Sequence, residues 1–374
     1  MLILGIETSC DETAASVVRD GVEILSNVVV SQIDIFAEYG GVIPEVAARS
    51  HLEAMMPVVD KALSDAGCSW DDIDAIAVTH APGLLGSLLI GTLTARTLAI
   101  LHDKPLYAVH HLKSHVYANW LTLETNFTDS RAASARPVAT GERRLSSRCR
   151  APYSLESSKI SFPVLALVVS GGHTQILYMP SHNQFEIIGT TQDDAVGECF
   201  DKVAKILGLP YPGGPAIAKA ALDGDANKYV LPHPKVTGLD FSFSGLKTAV
   251  LRAVQKEVGV PISYPSHKLK ELLNPQQVAD FAASFQKTAV EILSEKLKMA
   301  LGQYPEVQSV VVAGGVSANK ALREALPEAY FPAPSLSGDN GAMVAAAAYY
   351  EILSGVKPTD PYSLNIYPRI SIEN

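Results

Sequence analysis

The sequence predicts a duplicated α/β protein, and three observations carry that prediction. The opening elements run β-β-β-α-β-α-β, the same β-β-β-α start returns from Pro163, and each half opens with a hairpin. A length of 374 residues exceeds the usual single domain, so two cores are expected. Hydrophobic residues at 47% and charged residues at 18% describe an ordinary folded chain, and no apolar run is long enough to span a bilayer.

The first half opens with apolar runs at 2–6 and 14–18 joined by Glu7-Thr8-Ser9-Cys10-Asp11-Glu12-Thr13, which reads as a hairpin; Glu23 to Ser31 adds a third strand. Pro44 to Ala66 has helical spacing through Val46, Leu52, Met55, Met56, Val59 and Leu63 and stops at Gly67. Its apolar stripe is a core face or, with Met55 and Met56 available, a partner interface. Ile73 to Val78 is a strand, Leu84 to Leu101 a small-residue and Leu-rich helix, and Leu106 to Val109 a further strand. The second half runs through strands at Val164–Val169, Thr174–Met179 and Phe185–Ile188, then helices from about Gly197. The rigid turn Pro210 to Pro215, a long amphipathic helix from Pro275 to Leu301 and a strand at Val307–Ala313 follow. Ser317 is expected to cap the next helix, and Asp339-Asn340-Gly341 starts a last one, Ala342 to Leu353.

These elements divide the chain into a first half at 1–120, with the segment from about 345 to 374 packing back on it, and a second half at 163–344. Residues 121–162 keep no periodicity. Arg131, Arg136, Arg143, Arg144, Arg148, Arg150 and Lys159 stand there against Glu124, Asp129, Glu142 and Glu156, a balance of +3. The tract reads as a flexible Arg/Ser-rich insert, too poor in apolar residues to offset its ordering entropy. It is either a solvated excursion or a segment that touches phosphates.

A net charge of −9 argues against a protein wholly devoted to nucleic acid and leaves room for a local basic surface. Cys10, Cys68, Cys149 and Cys199 contain no C-x-x-C, so reduced thiols are expected rather than a disulfide framework or a zinc knuckle. Met1 to Ile6 read straight into a buried strand without a leader, which makes the cytoplasm the expected compartment.

The chemistry concentrates in a few places. His111 and His115 stand four apart where strand gives way to helix, which sets both rings on one helical face. Two such imidazoles can chelate one divalent ion with a carboxylate from elsewhere; the alternative is a capped helix bearing two polar surface histidines. Ser170-Gly171-Gly172 and Ala313-Gly314-Gly315 bare backbone N–H donors to an anion such as phosphate, although either pair could be only a tight turn. No GxxxxGK[ST], GxGxxG or GxSxG pattern is present, which removes the P-loop, dinucleotide-fold and nucleophile-elbow readings. Asp11 and Glu12 lie in the first hairpin turn, as solvated acids or as a general base or metal-orienting carboxylate. Asp201 could hydrogen-bond a sugar hydroxyl. Asp339 either caps the helix that follows it or supplies the carboxylate the histidine pair needs.

Seven blocks stand in one order: Gly5-Ile6-Glu7-Thr8-Ser9-Cys10-Asp11-Glu12-Thr13, His110-His111-x-x-x-His115, Val169-Ser170-Gly171-Gly172-His173-Thr174, Tyr211-Pro212-Gly213-Gly214-Pro215, Phe241-Ser242-Phe243-Ser244-Gly245-Leu246-Lys247-Thr248, Ala313 to Asn319, and Asp339 to Met343. Together they resemble the TsaD family, the bacterial branch of the tRNA threonylcarbamoyltransferases, over essentially the whole chain except 121–162. The resemblance implies the actin/Hsp70/sugar-kinase (ASKHA) fold, two ribonuclease-H-like halves with nucleotide and metal in an inter-domain cleft. It implies transfer of threonylcarbamoyl from threonylcarbamoyl-AMP to the exocyclic amine of the adenosine 3′ of the anticodon, in tRNAs reading ANN codons, with release of AMP. By match to the family's motifs, His111, His115 and Asp339 are the ligands of one divalent metal, Fe2+ by family habit, with Zn2+ the other choice. Val168, Val169, Ser170, Gly171 and Gly172 match the phosphate-side stretch, and Asp201, Gly214 and Asn319 match residues holding the adenylate's sugar and base. Asp11 or Glu12 suits general-base or metal-shell duty, Asp11 the more directly. The implied partners are tRNA, the paralogue TsaB, the ATPase TsaE and TsaC as supplier of the adenylate, while a homodimer is the arrangement of organelle forms; no membrane is involved.

Four residues depart from the family's habit. Lys113-Ser114 replaces an acid and a small residue between the histidines, Ala81 replaces a glycine before Pro82-Gly83, and Ala218 stands where some members have an acid near the ribose. Two rival readings remain. An actin-like ATPase or kinase shares the fold and turns, but normally handles Mg2+ through carboxylates and waters rather than imidazole. A metalloprotease of the HExxH type needs Glu after its first histidine, where this chain has Leu112.

Overall fold

The computed structural model describes residues 1–122 and 160–373. Cys149 and nearly all of the insert expected at 121–162 therefore lie outside the described residues. The described ends of that tract are tied down: the Thr122 amide donates to Val22 O at 2.8 Å, and Ser161 N donates to Ser309 Oγ at 2.9 Å. Spatially the chain forms two compact units, Met1–Ser31 with Ala48–Ile160 and Asp339–Arg369, and Gln32–Ala47 with Ser161–Gly338 and Ile370–Asn374. The sequence-based halves of 1–120 and 163–344 differ from this in three places. Gln32–Ala47 leaves the first half, the return to it starts at Asp339 rather than near 345, and the last residues rejoin the second unit. Units follow contacts in space, which chain order does not record.

The first unit is built on a five-stranded sheet of order β3-β2-β1-β4-β5, with β1 Leu2–Glu7, β2 Glu12–Arg19, β3 Glu23–Ser31, β4 Ala75–Ala81 and β5 Leu106–His110. The first three strands form an antiparallel meander, and β4 and β5 add in parallel. Leu4 and Ile6 of β1 point to one face, where they pack in a core with Met55, Val58 and Val59 of α2 (Pro44–Ala66) and Ala95 and Leu98 of α3 (Leu85–Leu101). Alternation along the strand turns Gly5 to the opposite face. There it meets α10 (Gly341–Leu353): a Cβ at Gly5 would collide with the Gly341 carbonyl, and one at Gly341 would lie 2.6 Å from the Gly5 carbonyl. Residues 342–348 of α10 are completely buried, which explains why its sequence is apolar all round rather than amphipathic.

A four-stranded sheet of order β8-β7-β6-β9 organises the second unit, with β6 Val164–Val169, β7 Thr174–Met179, β8 Glu186–Thr190 and β9 Ser309–Ala313. Its meander is antiparallel and β9 joins β6 in parallel, so the order 3-2-1-4 of the first unit is repeated. This is the ribonuclease-H-like topology, present twice. Leu165, Leu167 and Val169 pack with Phe200 and Val203 of α5 (Val196–Leu207), Ile217 of α6 (Gly213–Ala220), Leu246 of α7 (Ser244–Glu257) and Phe281 and Phe285 of α8 (Pro275–Gln303). The long helix α8 begins on a capping box between Asn274 and Gln277, with Pro275 in its first turn. Two elements depart from expectation. A short helix, α1 at Ile33–Tyr39, has too few residues for a visible period, and its Phe36 is buried. Helix α9 (Lys320–Ala325) is capped by the Asn319 side chain, which accepts from Leu322 N at 3.2 Å, not by Ser317; Ser317 lies in a preceding 3-10 turn, Gly315–Ala318.

Among the described residues, no helix is long and apolar enough to cross a membrane.

Candidate metal centre and anion turn

His110 ends β5 and caps helix α4 (His111–Tyr117), its Nδ1 accepting from Leu112 N at 3.2 Å. That cap starts the helix at His111, so His111 and His115 fall one turn apart with ring centroids 4.6 Å from each other. Both are buried, at 8% and 2% exposure, which rules out two solvated surface histidines. The ring of Tyr117 stacks on Tyr350 of α10 at 4.8 Å and 12°, fastening α4 to the helix that follows Asp339. The cap of α10 is Asn340, whose side chain accepts from Met343 N at 3.0 Å, so capping is not the task of Asp339. Instead Asp339 Oδ1 stands 3.1 Å from His115 Nε2 and 3.7 Å from His111 Nε2.

One donor atom from each of His111, His115 and Asp339 fits within 4.8 Å. Ligand atoms about 2 Å from a tetrahedral ion stand about 3.3 Å apart, and the two observed separations bracket that value. Two imidazoles with one carboxylate are a donor set suited to Zn2+ or Fe2+ and leave coordination positions for water or substrate. The triad therefore fits a divalent ion. Burial by itself would lower the pKa of His111, but the carboxylates of Asp339 and Glu7 outweigh it and push it up to about 9.

Glu7, to which the sequence reading assigned no role, closes β1 with its carboxylate fully buried. Ser9 N donates to Oε1 at 2.5 Å, Thr79 Oγ1 donates to Oε2 at 2.6 Å, and His111 Nδ1 lies 3.2 Å from Oε2. The available signal was a lone acid ending an otherwise apolar strand. Asp11 is buried in the loop after β1, next to Cys10, whose thiol is pushed up by burial and then by Asp11, Asp339 and Glu12. Glu12 is not a turn residue; it opens β2 and accepts from Ser31 Oγ at 3.3 Å. Neither acid belongs to the three-residue cluster. His51 of α2 holds this loop from behind, with Nε2 3.0 Å from the Cys10 carbonyl and Nδ1 2.8 Å from Thr13 Oγ1. A carbonyl only accepts, so Nε2 donates and Nδ1 accepts from the hydroxyl, a neutral ring consistent with its lowered pKa on burial.

In the second unit, Val168 and Val169 are core residues of β6 that face any ligand only through their backbone. Ser170 closes the turn: its amide donates to His173 O at 2.8 Å, and its hydroxyl accepts from His173 N at 3.1 Å. Gly171 and Gly172 stay exposed, with room around each for a side chain, and their amides donate to no described residue. Two other glycines make the close approaches. Gly197, in the first turn of α5, would place a Cβ 2.6 Å from the Ser170 carbonyl, and Gly314, at φ 90°, would place one 2.5 Å from that of Val169. The 170–172 turn, the start of α5 and the 314–319 turn thus come together at the ends of β6 and β9. Asp201, one turn along α5 from Gly197, accepts from Gly213 N at 2.7 Å and so serves the start of α6. Gly213 is tightly packed there, while Gly214 has open space around it. The Asn319 Nδ2 donates to Gln286 Oε1 at 2.9 Å.

Two ribonuclease-H-like units, one bearing a buried imidazole–carboxylate cluster and the other a glycine turn with unused amides, define a protein of the actin/Hsp70/sugar-kinase class. Sequence comparison narrows the class. Residues 23–135 and 150–346 match the family described as "TsaD: tRNA N6-adenosine threonylcarbamoyltransferase". The chain is 45% identical to the tRNA N6-adenosine threonylcarbamoyltransferase of Thermomicrobium roseum over 96% of its own length and 93% of that protein's. For the proteins of the same name from Symbiobacterium thermophilum and Caldicellulosiruptor saccharolyticus the identities are 44% and 42%, covering 99% and 100% of this chain and 97% and 98% of theirs. The chain belongs to the tRNA N6-adenosine threonylcarbamoyltransferase family.

Proposed function

We propose that the chain carries out its family's reaction, threonylcarbamoyl transfer to N6 of adenosine in tRNA, with a divalent ion held by His111, His115 and Asp339. Membership in the family at more than 40% identity over nearly the full length of both chains carries the reaction itself. The cluster of donor atoms within 4.8 Å supports the ion. When bound, the ion supplies Lewis acidity to a carbonyl or phosphate oxygen of the donor. Fe2+ is the species we assign, Zn2+ the alternative, and threonylcarbamoyl-AMP the donor.

The chain's own groups divide the remaining work. The free amides of Gly171 and Gly172 hold the phosphate and stabilise its charge as AMP leaves, the role of preorganised donors where charge develops. Val168, Val169 and Ser170 set that turn through their strand and hairpin hydrogen bonds. Asp201, Gly214 and Asn319 hold the adenylate's sugar and base. Asp11, buried near Cys10, takes the proton from the attacking N6 amine more directly than Glu12, which is engaged with Ser31. The acceptor is the adenosine 3′ of the anticodon in tRNAs reading ANN codons. The chain acts in the cytoplasm with TsaB and TsaE on adenylate supplied by TsaC, with a homodimer as the alternative assembly.

The test is transfer of label from radiolabelled threonine into an ANN-decoding tRNA by the chain with TsaB, TsaE, TsaC and ATP. A parallel reaction uses the His111→Ala, His115→Ala double variant. We expect incorporation by the parent and its loss, by at least about 100-fold, in the folded variant. Equal incorporation by both proteins overturns the metal assignment. No incorporation with any partner set returns the ATPase reading, which ATP hydrolysis would then identify.

A further inference from the structure

We propose that Glu7 is a positioning residue for the metal centre: it holds the His111 ring as the Nδ1–H tautomer and so aims Nε2 at the ion. The inference rests on the metal reading above and concerns a residue that the family's ligand motif does not include.

Burying an acid is costly. Glu7 has no measurable exposure and follows Leu4 and Ile6, which are also fully buried. An ionised carboxylate in such surroundings needs several donors. Among the described residues no lysine or arginine pairs with it; the donors are Ser9 N, Thr79 Oγ1 and the His111 ring. Three donors converge on two oxygens, so the carboxylate has little freedom to turn.

A carboxylate can only accept, so the His111 nitrogen 3.2 Å away must bring the proton. Nδ1 is thereby committed, with Ser9 Oγ as a second neighbour at 3.1 Å. Nε2, on the far side of the ring, is the nitrogen 3.7 Å from Asp339 Oδ1. One buried group thus selects the tautomer, sets the ring plane and leaves the correct lone pair for coordination. His115 supplies the contrast. Its Nδ1 is buried and has no hydrogen-bond partner among the described residues. Among the described residues, the Nδ1 of His111 is braced by a carboxylate and that of His115 is not, and braces of that kind are worth about 10–100-fold in metal affinity.

The experiment uses the full chain stripped of metal and titrated with Zn2+ by calorimetry, as parent, Glu7→Gln and His111→Ala. Gln preserves the volume and removes the charge. We expect the parent to bind one Zn2+, Glu7→Gln to bind about 10–100-fold more weakly, and His111→Ala to lose the site. The second measurement needs no variant: long-range 1H–15N NMR of the Zn2+-loaded parent should show a protonated His111 Nδ1 and a metal-bound Nε2. A Glu7→Gln protein that binds Zn2+ as tightly as the parent overturns the proposal while the metal reading stands, and so does a His111 ring bound through Nδ1. A parent that binds no Zn2+ overturns the metal reading and the proposal with it. Should Glu7→Gln fail to fold, the NMR result alone decides.

Discussion

Burial would keep the His111 imidazole neutral, yet Asp339 and Glu7 together hold its pKa near 9. In the metal-free protein at pH 7 the ring therefore carries a proton that an ion has to displace. Apparent Zn2+ affinity should fall about tenfold per pH unit below about 9, with close to one proton released per ion at pH 7.5. Calorimetry in buffers of different ionisation enthalpy measures that release. For stability the direction is the reverse of a depressed carboxylate. The folded-state pKa lies above the ordinary 6.5, so the contribution is complete below about 6.5 and disappears as pH rises through about 9. His51 behaves differently: burial lowers its pKa and outweighs the hydrogen bond to the Cys10 carbonyl and the pull of Glu7 and Asp11. Its replacement by Ala removes the closer donor of the Cys10 carbonyl, which keeps Ser87 Oγ at 3.3 Å, and the Nδ1 acceptor of the Thr13 hydroxyl, beside a new cavity. We expect a loss of about 2–4 kcal/mol in chemical denaturation.

Helices α4 and α10 carry the three proposed ligands or their immediate neighbours, and α10 is seated by the contact of Gly5 with Gly341. Gly5→Ala would force the start of α10 away from β1, and with it the Asp339-Asn340 segment. The expected result is a destabilisation of more than about 2 kcal/mol in denaturation, together with weakened Zn2+ binding. The same two helices bury Glu351 of α10 near Lys113 of α4. Burial raises Glu351 to about 7, with Lys113 pulling the other way, and burial lowers Lys113. Raising a carboxyl pKa means the folded state favours the neutral acid. Its contribution is complete below the ordinary 4.5 and is lost as pH climbs through about 7, at up to about 1.4 kcal/mol per pH unit. Urea denaturation between pH 4.5 and 7 should show that slope in the parent and lose it in Glu351→Gln.

At the scale of the whole molecule, the His111–His115–Asp339 cluster lies entirely in the first unit and the glycine turn entirely in the second. The core of neither unit is built around the cluster. Stripping metal with a chelator should therefore abolish transfer while leaving the far-UV circular dichroism unchanged, and Fe2+ or Zn2+ should restore the activity. A chain that unfolds on chelation would show the ion to be structural instead.

Much of this was legible in the chain. Strand runs, the repeated β-β-β-α order and the blocks around His111, His115 and Asp339 are local patterns, written in alternation, helical spacing and turn residues, and they led to the fold and the family. Other features exist only between segments distant in sequence. That Asn340 rather than Asp339 caps α10, and Asn319 rather than Ser317 caps α9, depends on backbone angles one or two residues away. That Gly197 and Gly314, not Gly171 and Gly172, are the glycines forced by close packing depends on which carbonyl lies opposite. Residues 32–47 look like part of the first half because they follow it in the chain, yet they pack with the second unit. Glu7 shows the division most directly. The sequence places an acid at the end of an apolar strand, but its meaning comes from Thr79 and His111, 72 and 104 residues away, whose donors meet it only once the sheet has formed. Local periodicity reports which face of an element is buried; the identity of the atom across from a buried group is set by packing alone.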